Sequence, residues 1–306
     1  IIDNGQEVTI ISKDLLTEGV HFDIMYTPLK HLGYKAIVSN VSDIAAMNGT
    51  AKQVLVGLAL SSKYTVEAID EIYAGIKRAC EKYNLDLIGG DTTSSAAGLF
   101  ISITIIGSAA KEKIVYRNTA NEGDLICVSG DLGAAYMGLK VLEREKTVYK
   151  TNAAIQPDLD NFHYLLERQL KPEARVDIIE LFKEAGLQPT AMIDISDGLA
   201  SEIIHICRQS NTGCMLYEEK LPIDHITYET AREFNLDPTL CAMNGGEDYE
   251  LLFTIPASQL SVIQKYATEI SIIGHITDAA SGYHLIAKNN TQHPITAQGW
   301  DALLKK

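Results

Sequence analysis

The sequence predicts a mixed α/β protein built from two domains, and three observations support this prediction. The chain has 306 residues, and domains of roughly 150 residues make two the natural number. Hydrophobic residues make up 46% of the chain, which is enough for two cores, and charged residues make up 22%. In both halves, short apolar runs typical of strands alternate with amphipathic segments typical of helices. The polar stretch 118–123 separates the halves and gives domains 1–118 and 119–306.

The first half contains the clearest secondary-structure signals. Pro28 before an apolar stretch and the dipeptide NG at 48–49 mark the start and the end of a helix. The stretch 65–83 carries its apolar residues on one helical stripe, whereas isoleucines at alternate positions from 101 to 105 indicate a strand. The predicted strands are 8–12, 53–60, 85–88 and 99–107, and the predicted helices are 29–47 and 65–83.

The second half repeats this alternation of strands and helices. Apolar runs bounded by turn-forming residues predict the strands, and the amphipathic stretches between them predict the helices. The predicted strands are 125–129, 191–195, 251–255, 270–276 and 283–287. The predicted helices are 132–143, 158–169, 174–185, 199–209 and 258–268.

The composition excludes several classes of partner. The formal net charge is −14, and a chain this acidic without basic clusters is a poor partner for nucleic acids and anionic membranes. No apolar stretch reaches the roughly 18 residues of a membrane span. Five scattered cysteines without a C-x-x-C pair are typical of reduced thiols. We therefore expect a cytoplasmic protein that binds neither nucleic acid nor membrane.

Five aspartates lie in apolar or glycine-rich surroundings, where solvated acids are uncommon. Asp14 and Asp91 each follow a predicted strand, and Asp43 lies inside an otherwise apolar helix. Asp194 and Asp197 stand where a predicted strand turns into a helix. Segment ends are where α/β folds assemble their sites, so these positions are candidates for one acidic site.

Converging aspartates are suited to Mg²⁺, which prefers octahedral oxygen ligands and retains water. Phosphoryl transfer depends on positioning and on metal ions that neutralise oxygen charge, so this reaction class is favoured. Taken singly, Asp14 and Asp91 can also be helix caps or turn residues, whereas Asp43 in an apolar helix needs a partner. The P-loop, Rossmann, H-E-x-x-H and G-x-S-x-G patterns are absent.

Six segments, in order, resemble the motifs of the thiamine-monophosphate kinase family. They are ISKDLLTEGVHF at 11–22, LGYKA at 32–36, NVSDIAAMNG at 40–49, LIGGDTT at 87–93, DISDGL at 194–199 and GGEDYEL at 245–251. Their order and spacing match over essentially the whole chain. The GGDT motif is shared with relatives such as aminoimidazole ribonucleotide synthetase and selenophosphate synthetase, whereas the segments at 21–22 and 245–251 together favour the thiamine family.

The resemblance implies a two-domain aminoimidazole ribonucleotide synthetase-like fold in which the N-terminal sheets of two subunits pair across a homodimer. The N-terminal domain would bind ATP and several Mg²⁺ ions, and the C-terminal domain would close the active site. The implied reaction is phosphorylation of thiamine monophosphate to thiamine diphosphate, the last step of thiamine diphosphate biosynthesis. The γ-phosphate of ATP would pass directly in line, without a phosphoenzyme.

The resemblance also assigns roles to individual residues. Metal ligands are expected at Ser12, Lys13, Asp14, Asp43, Asp91, Asp194 and Asp197, of which Asp43, Asp91 and Asp194 are the expected catalytic residues. ATP is expected at Tyr73, Gly90, Asp91, Arg117 and Ser196, and thiamine monophosphate at His21, Glu247 and Trp300.

Chemistry supports the three substrate positions, although each has a plainer explanation. Trp300, the only tryptophan, can stack on a pyrimidine ring or anchor a core. Glu247 can accept a hydrogen bond from an aminopyrimidine or simply begin a helix, and His21 can contact phosphate or be structural. Arg117 can likewise bind a nucleotide phosphate or form a surface ion pair.

The sequence departs from the family pattern in two places. Lys13 stands where the family usually has threonine, which is harmless if that position binds metal through its carbonyl and removes a ligand if it binds through a hydroxyl. The family's G-D-D-x-A motif, with a further metal-binding aspartate, is expected upstream of Ile1. Two alternatives stay open: a sister enzyme that uses ATP on another acceptor, such as a formylglycinamidine ribonucleotide or carbamoyl group, and a non-catalytic ATP-binding or dimeric module.

Overall fold

A computed structural model describes residues 1–152, 154 and 156–297. The chain divides into two compact units. Unit 1 contains residues 1–114, 141–161 and 170–174, and unit 2 contains residues 115–140, 162–169 and those from 175 onward. The sequence-based division at 118/119 stays a prediction. No helix in the described part of the chain has both the length and the apolar character that a membrane span requires.

Unit 1 is built on a five-stranded sheet. Its elements are β1 (Ile2–Asp3), β2 (Glu7–Thr17), α1 (Leu29–Ala45), β3 (Thr50–Leu60), α2 (Val66–Tyr83), β4 (Asp86–Ser94) and β5 (Leu99–Ala110). The order across the sheet is β1-β2-β5-β3-β4, in which β3 and β4 are parallel and the other neighbours are antiparallel. Helix α1 packs against β2, β5 and β3, and α2 packs against α1.

Helices α1 and α2 cross closely because each has a glycine at the crossing. A Cβ on Gly33 would lie 2.0 Å from the carbonyl oxygen of Ile72, and a Cβ on Gly75 would lie 1.8 Å from that of Lys30. This approach lets α1 lie almost completely buried between the sheet and α2. Polar residues on α1 are therefore held in a fixed, water-poor position.

Unit 2 is built on a seven-stranded sheet. Its strands are β6 (Leu125–Ser129), β7 (Ala191–Asp194), β8 (Thr212–Tyr217), β9 (Leu251–Ile255), β10 (Ile270–Asp278), β11 (Tyr283–Ile286) and β12 (Gln292–Pro294). The remaining helices are α3 (Ala134–Thr151), α4 (His163–Leu170), α5 (Val176–Ala185), α6 (Leu199–Ser210), α7 (His225–Glu233), α8 (Pro238–Asn244) and α9 (Leu260–Ile263). The residues of α3 from 141 onward and Leu170 of α4 are assigned to unit 1.

The seven strands lie in the order β12-β11-β8-β10-β6-β9-β7, and only β8 and β11 pair in parallel. The core includes fully buried Ile126 and Val128 of β6, Leu252 of β9, and Leu199 and Ile203 of α6. Each such side chain contributes about 1.5–3 kcal/mol relative to an exposed one. The core thereby fixes the start of α6. This helix directly follows the segment 194–198, which contains Asp194 and Asp197.

The predicted strands and helices of unit 1 are present, but two aspartates were placed wrongly. Strands β2 and β4 continue beyond their predicted ends, so Asp14 and Asp91 lie within strands and do not follow them. Asp14 pairs opposite Ile103 of β5, and Asp91 pairs opposite Gly57 of β3. Non-local pairing thus overrides the local preference of aspartate and glycine for strand ends.

In unit 2 the sequence missed β8, α7, α8 and β12. Strand β8 is held by pairing with β10 and β11, and α7 and α8 begin at aspartate caps, Asp224 and Asp237. The helix predicted at 258–268 is wrong in extent, because only the four-residue α9 between two 3₁₀ turns is present. These elements are short and lack a full period of apolar residues.

Candidate active-site residues

Two polar contacts join β2 to α1 and bring two predicted metal ligands together. Alternate positions of β2 from 8 to 16 are withdrawn from solvent, and Ser12 and Asp14 occupy two of them. The Ser12 hydroxyl donates a hydrogen bond to Asp43 Oδ2 of α1, and the Ser39 hydroxyl bonds the Asp14 carboxylate. Residues two apart on a strand share a face, as do residues four apart on a helix. Asp14 and Asp43 therefore lie next to each other.

The carboxylate of Asp14 is partly withdrawn from water. Burial raises the pKa of Asp14, and the Ser39 hydrogen bond and the nearby charges of His21 and Lys13 oppose this rise. A carboxylate that is penalised by burial and faces a second carboxylate gains stability from a bound cation. The electrostatics of this group are those of a cation site.

Asp91 lies three strands away from Asp14 in the sheet. Along the sheet, Asp14 is level with Ile103 of β5, Val56 of β3 and Gly90 of β4. Three strand-to-strand steps of about 4.8 Å put β4 about 14 Å from β2. Position 90 requires a glycine, because a Cβ there would lie 2.0 Å from the carbonyl oxygen of Val56 on the neighbouring strand β3.

The side chain of Lys13 lies on the opposite face of β2 from Asp14, since neighbouring residues of a strand point in opposite directions. Lys13 Nζ donates a hydrogen bond of 2.5 Å to Ser102 Oγ. The Lys13 side chain is thus directed away from the Asp14 face. Tyr73 lies on α2 and is partly buried.

His21 lies in the exposed turn after β2 and is held in one tautomer. The backbone N–H of Thr17 donates a hydrogen bond of 3.0 Å to His21 Nδ1. Since Nδ1 accepts this bond, the proton of the neutral ring is on Nε2, which can donate to an oxygen of a ligand. The same turn is anchored by an ion pair between Asp23 and Lys146.

In unit 2, the motifs at 194–199 and 245–251 lie alongside each other. Strands β7 and β9 pair up to Asp194, and backbone bonds continue the pairing beyond it. The N–H of Ile195 donates to the carbonyl of Glu250 at 2.8 Å, and the N–H of Glu247 donates to the carbonyl of Ser196 at 2.8 Å. Predicted metal, nucleotide and substrate residues of this unit therefore share one edge of the sheet.

A buried glutamate that the sequence reasoning missed organises the turn before α6. Glu202 is only 3% exposed, and its Oε1 accepts a hydrogen bond of 3.1 Å from the Asp197 N–H. Burial raises the pKa of Glu202 to about 7, and the Asp197 carboxylate adds to this rise. The Asp197 N–H, the charge of Arg117 and the Ser196 hydroxyl favour the ionised form. Ser196, Asp197 and Arg117 thus gather around one carboxyl.

Glu247 has an unusual backbone conformation. Its φ is 67° and that of Tyr249 is 52°, a left-handed region that costs energy for residues other than glycine, and residues strained in this way cluster at functional sites. Glu247 Oε2 accepts a hydrogen bond of 2.8 Å from Gln169 Nε2. Trp300, the third predicted substrate residue, lies outside the described residues.

Buried ion pairs hold the segment that contains Glu247. Arg168 donates to Glu250 Oε1 at 2.8 Å, and Arg175 donates to Glu250 Oε2 at 2.5 Å. The Asp248 carboxylate accepts hydrogen bonds from the N–H groups of Gly133 and Ala135. Burial raises the pKa of Asp248 to about 7, although Arg168 and these N–H groups favour its ionised form.

Three polar residues that the sequence reasoning did not single out contact predicted site residues. Ser39 lies four residues before Asp43 on one helix, so helical spacing was a usable signal. Glu202 stands in the first turn of α6, where acids often cap the preceding N–H groups. Gln169 carries no local signal, because its partner Glu247 is distant in sequence.

The donor chemistry fits Mg²⁺, which takes one or two protein carboxylates together with water and phosphate oxygens. Asp14, Asp43, Ser12 and Ser39 supply carboxylate and hydroxyl oxygens in unit 1. Nowhere in residues 1–152, 154 and 156–297 do three or more His, Cys, Asp or Glu side chains gather closely enough to hold a metal ion by themselves.

The fold and the acidic motifs define a protein of the AIR synthase-related class. A family profile described as "AIR synthase related protein, N-terminal domain" matches residues 1–109. A solved structure described as AaThiL complexed with AMPPCP and TMP has a TM-score of 0.85 and 29% identity, and the match covers 99% of this chain and 89% of that one.

Two curated relatives identify the family within this class. Thiamine-monophosphate kinase from Bacillus subtilis (strain 168) is 31% identical over 299 residues, covering 95% of this chain and 87% of the relative. Thiamine-monophosphate kinase from Aquifex aeolicus (strain VF5) is 35% identical over 247 residues, covering 81% of this chain and 76% of the relative. The chain belongs to the thiamine-monophosphate kinase family.

Proposed function

We propose that this chain phosphorylates thiamine monophosphate to thiamine diphosphate with ATP as co-substrate. The γ-phosphate passes directly and in line to the acceptor phosphate, which completes thiamine diphosphate biosynthesis. Family membership supports the reaction, and the neighbour that is complexed with AMPPCP and TMP supports the substrate pair.

The observation that carries the proposal is the pairing of Asp14 and Asp43 by two serines. Two carboxylates that approach each other in a water-poor position, each bonded by a hydroxyl, are stabilised by a cation that joins them. Bound Mg²⁺ would supply charge neutralisation for the phosphate oxygens during transfer. Ser12 and Ser39 orient the carboxylates, so that little reorganisation is needed when the ion and nucleotide bind.

The remaining site residues keep their predicted roles within this proposal. Asp91, Asp194 and Asp197 are further metal ligands, of which Asp91 and Asp194 act with Asp43 as catalytic residues. Ser12 and the Lys13 carbonyl complete the metal set, and Tyr73, Gly90, Arg117 and Ser196 bind the nucleotide. Several Mg²⁺ ions are required.

The acceptor is bound by His21, Glu247 and Trp300. His21 presents a donor at Nε2, which suits a phosphate oxygen. Glu247 presents a carboxylate, which suits the amino group of the pyrimidine. A carbamoyl or ribonucleotide acceptor has no aminopyrimidine to match this carboxylate.

We further propose that the protein is a cytoplasmic homodimer in which the N-terminal sheets of two subunits pair. Five free, buried cysteines among the described residues fit a reducing compartment. Residues 1–118 carry ATP binding, Mg²⁺ binding and dimerisation, and residues 119–306 form the domain that closes the active site.

A coupled ADP-release assay on the full-length protein tests the function. MgATP is combined with thiamine monophosphate and, in parallel, with free thiamine or aminoimidazole precursors. We expect ADP release that requires both Mg²⁺ and thiamine monophosphate. Nucleotide binding without turnover on that acceptor would contradict the proposal and favour a sister enzyme or a non-catalytic module.

A further inference from the structure

We propose that Gln169 is a positioning residue that orients the Glu247 carboxylate for the pyrimidine of the acceptor; this inference rests on the proposed role of Glu247. Gln169 itself touches Glu247 and need not touch the substrate. Its effect is therefore on acceptor recognition and not on phosphoryl transfer.

The first argument is the contact itself. Gln169 lies on α4, its side chain is buried, and the residue is 5% exposed. Its Nε2 donates a hydrogen bond of 2.8 Å to Glu247 Oε2. A hydrogen bond to an ionised carboxylate is short and about twice as strong as a neutral one, so it can fix the rotation of the carboxylate.

The second argument is that the helix carrying Gln169 is fixed. At Gly138 of α3, an added Cβ would lie 2.1 Å from the carbonyl oxygen of Leu165 and 2.9 Å from Cβ of Gln169. The neighbouring Arg168 donates to Glu250 Oε1 at 2.8 Å and to the carbonyl of Asp131 at 3.0 Å. Gln169 therefore has little freedom to move away from Glu247.

The third argument concerns the backbone of Glu247. Its φ of 67° is held by the hydrogen bond from its N–H to the carbonyl of Ser196. The backbone conformation of Glu247 fixes the direction of its Cα–Cβ bond, and the Gln169 amide fixes the position of its carboxylate. A residue kept in a costly conformation and held at both ends is preorganised for a ligand.

The identity of the side chain at 169 also matters chemically. A glutamine donates a hydrogen bond to the carboxylate and stays neutral at all pH values, so Glu247 stays ionised and can also accept a hydrogen bond from an amino group. A carboxylate at this position would repel Glu247, and a leucine would leave a carboxylate oxygen without this donor. Gln169 thus contributes to selection of an acceptor that donates hydrogen bonds.

Two substitutions test the inference in the full-length enzyme. For Gln169→Leu we expect the KM for thiamine monophosphate to rise about tenfold, with the KM for ATP unchanged within about twofold. For Gln169→Glu, which preserves size, we expect a KM for thiamine monophosphate that rises further as pH increases and the introduced carboxyl ionises. The control is His163→Leu, an exposed position on the same helix, for which both KM values should match the wild type.

Glu247→Gln separates the inference from the function on which it rests. If Glu247→Gln raises the KM for thiamine monophosphate but both Gln169 variants do not, Gln169 is structural and the inference is overturned. If the Gln169 variants change the KM values for ATP and thiamine monophosphate equally, the inference is also overturned. If neither Glu247→Gln nor the Gln169 variants affect the acceptor in an enzyme that turns over, the substrate role of Glu247 fails. Absence of acceptor-dependent ADP release in the wild type would overturn the proposed function itself.

Discussion

Asp43 interrupts an apolar helix, and the sequence therefore predicts that its carboxylate has a polar partner. The structure supplies that partner in Ser12 of β2. The bond also shows why the residue is an aspartate: the short side chain reaches the neighbouring strand from the buried face of α1. A longer or uncharged side chain would keep the packing of the helix without presenting the carboxylate beside Asp14.

Asp43→Asn is therefore expected to abolish turnover and preserve the fold. The amide has nearly the same volume and can still accept from Ser12, but it lacks the charge that holds a metal ion. We expect kcat in the ADP-release assay to fall by about 10³-fold or more, since a metal ion supplies several kcal/mol of charge stabilisation. The melting temperature should stay within a few degrees of the wild type.

The matched control for this substitution is Asp70→Asn on the exposed side of α2. It makes the same chemical change on a solvated surface, so kcat and the melting temperature should both be unaffected. Wild-type turnover in Asp43→Asn would remove Asp43 from the site.

At the scale of elements, the crossing of α1 and α2 depends on Gly33 and Gly75. By helix propensity alone, Gly75→Ala should stabilise α2 by about 1 kcal/mol. The added Cβ would instead lie 1.8 Å from the carbonyl oxygen of Lys30, and the helices must move apart. We expect a net loss on the order of 3 kcal/mol in the free energy of unfolding, measured by urea denaturation. An increase in stability would contradict the close crossing.

The segment 170–174 is joined to helices α1 and α2 through Glu173. Tyr34 of α1 and Tyr83 of α2 donate hydrogen bonds of 2.8 and 2.6 Å to its Oε2, and Lys82 forms an ion pair with it. Burial opposes ionisation of Glu173, but the hydrogen bonds from Lys82, Tyr83 and Tyr34 outweigh it and hold the pKa below the ordinary value of 4.5. The stability from this group is therefore present above the unfolded pKa and is lost as pH falls through the lowered one.

Glu173→Gln is expected to lower the free energy of unfolding by about 1 kcal/mol at pH 7, a figure reduced for solvent screening of a partly exposed carboxylate. The difference from the wild type should disappear as pH falls from the ordinary value of 4.5 through the lowered pKa of Glu173. Melting temperatures measured across this pH range test both statements. The exposed Glu184→Gln should show neither effect, and a pH-independent loss in Glu173→Gln would mean that charge is not its cause.

For the whole molecule, the sequence predicted the α/β class, nearly all elements of unit 1 and the candidate acids, because their signals are local. Apolar periodicity marked α2 and β5, and the motif beginning at Asp194 marked the turn into α6. The extension of β2 past Asp14 and the existence of β8 were not predictable, since pairing with distant strands stabilises them. Contacts such as Gln169 to Glu247 depend on tertiary approach and leave no local pattern.

The open face of the sheet in unit 1 leads to the last prediction, which concerns assembly. On β2, Ile11 and Leu15 point away from the face that carries Asp14, and they are 47% and 53% exposed. Exposed apolar residues aligned on a sheet face are typical of an interface, and a twofold dimer would bury this face against its own copy. Leu15→Lys would add two further charges to the face that already carries Lys13, one from each subunit, and is expected to convert the proposed dimer into monomers.

Size-exclusion chromatography with light scattering measures this change directly. Leu240→Lys is the matched control, because Leu240 is 56% exposed and lies on α8 in unit 2. It introduces the same charge at an equally exposed leucine, so the control should remain dimeric. A wild-type mass in Leu15→Lys would exclude this sheet face as the interface. Equal dissociation in both variants would mean that added charge, and not its position on β2, breaks the dimer.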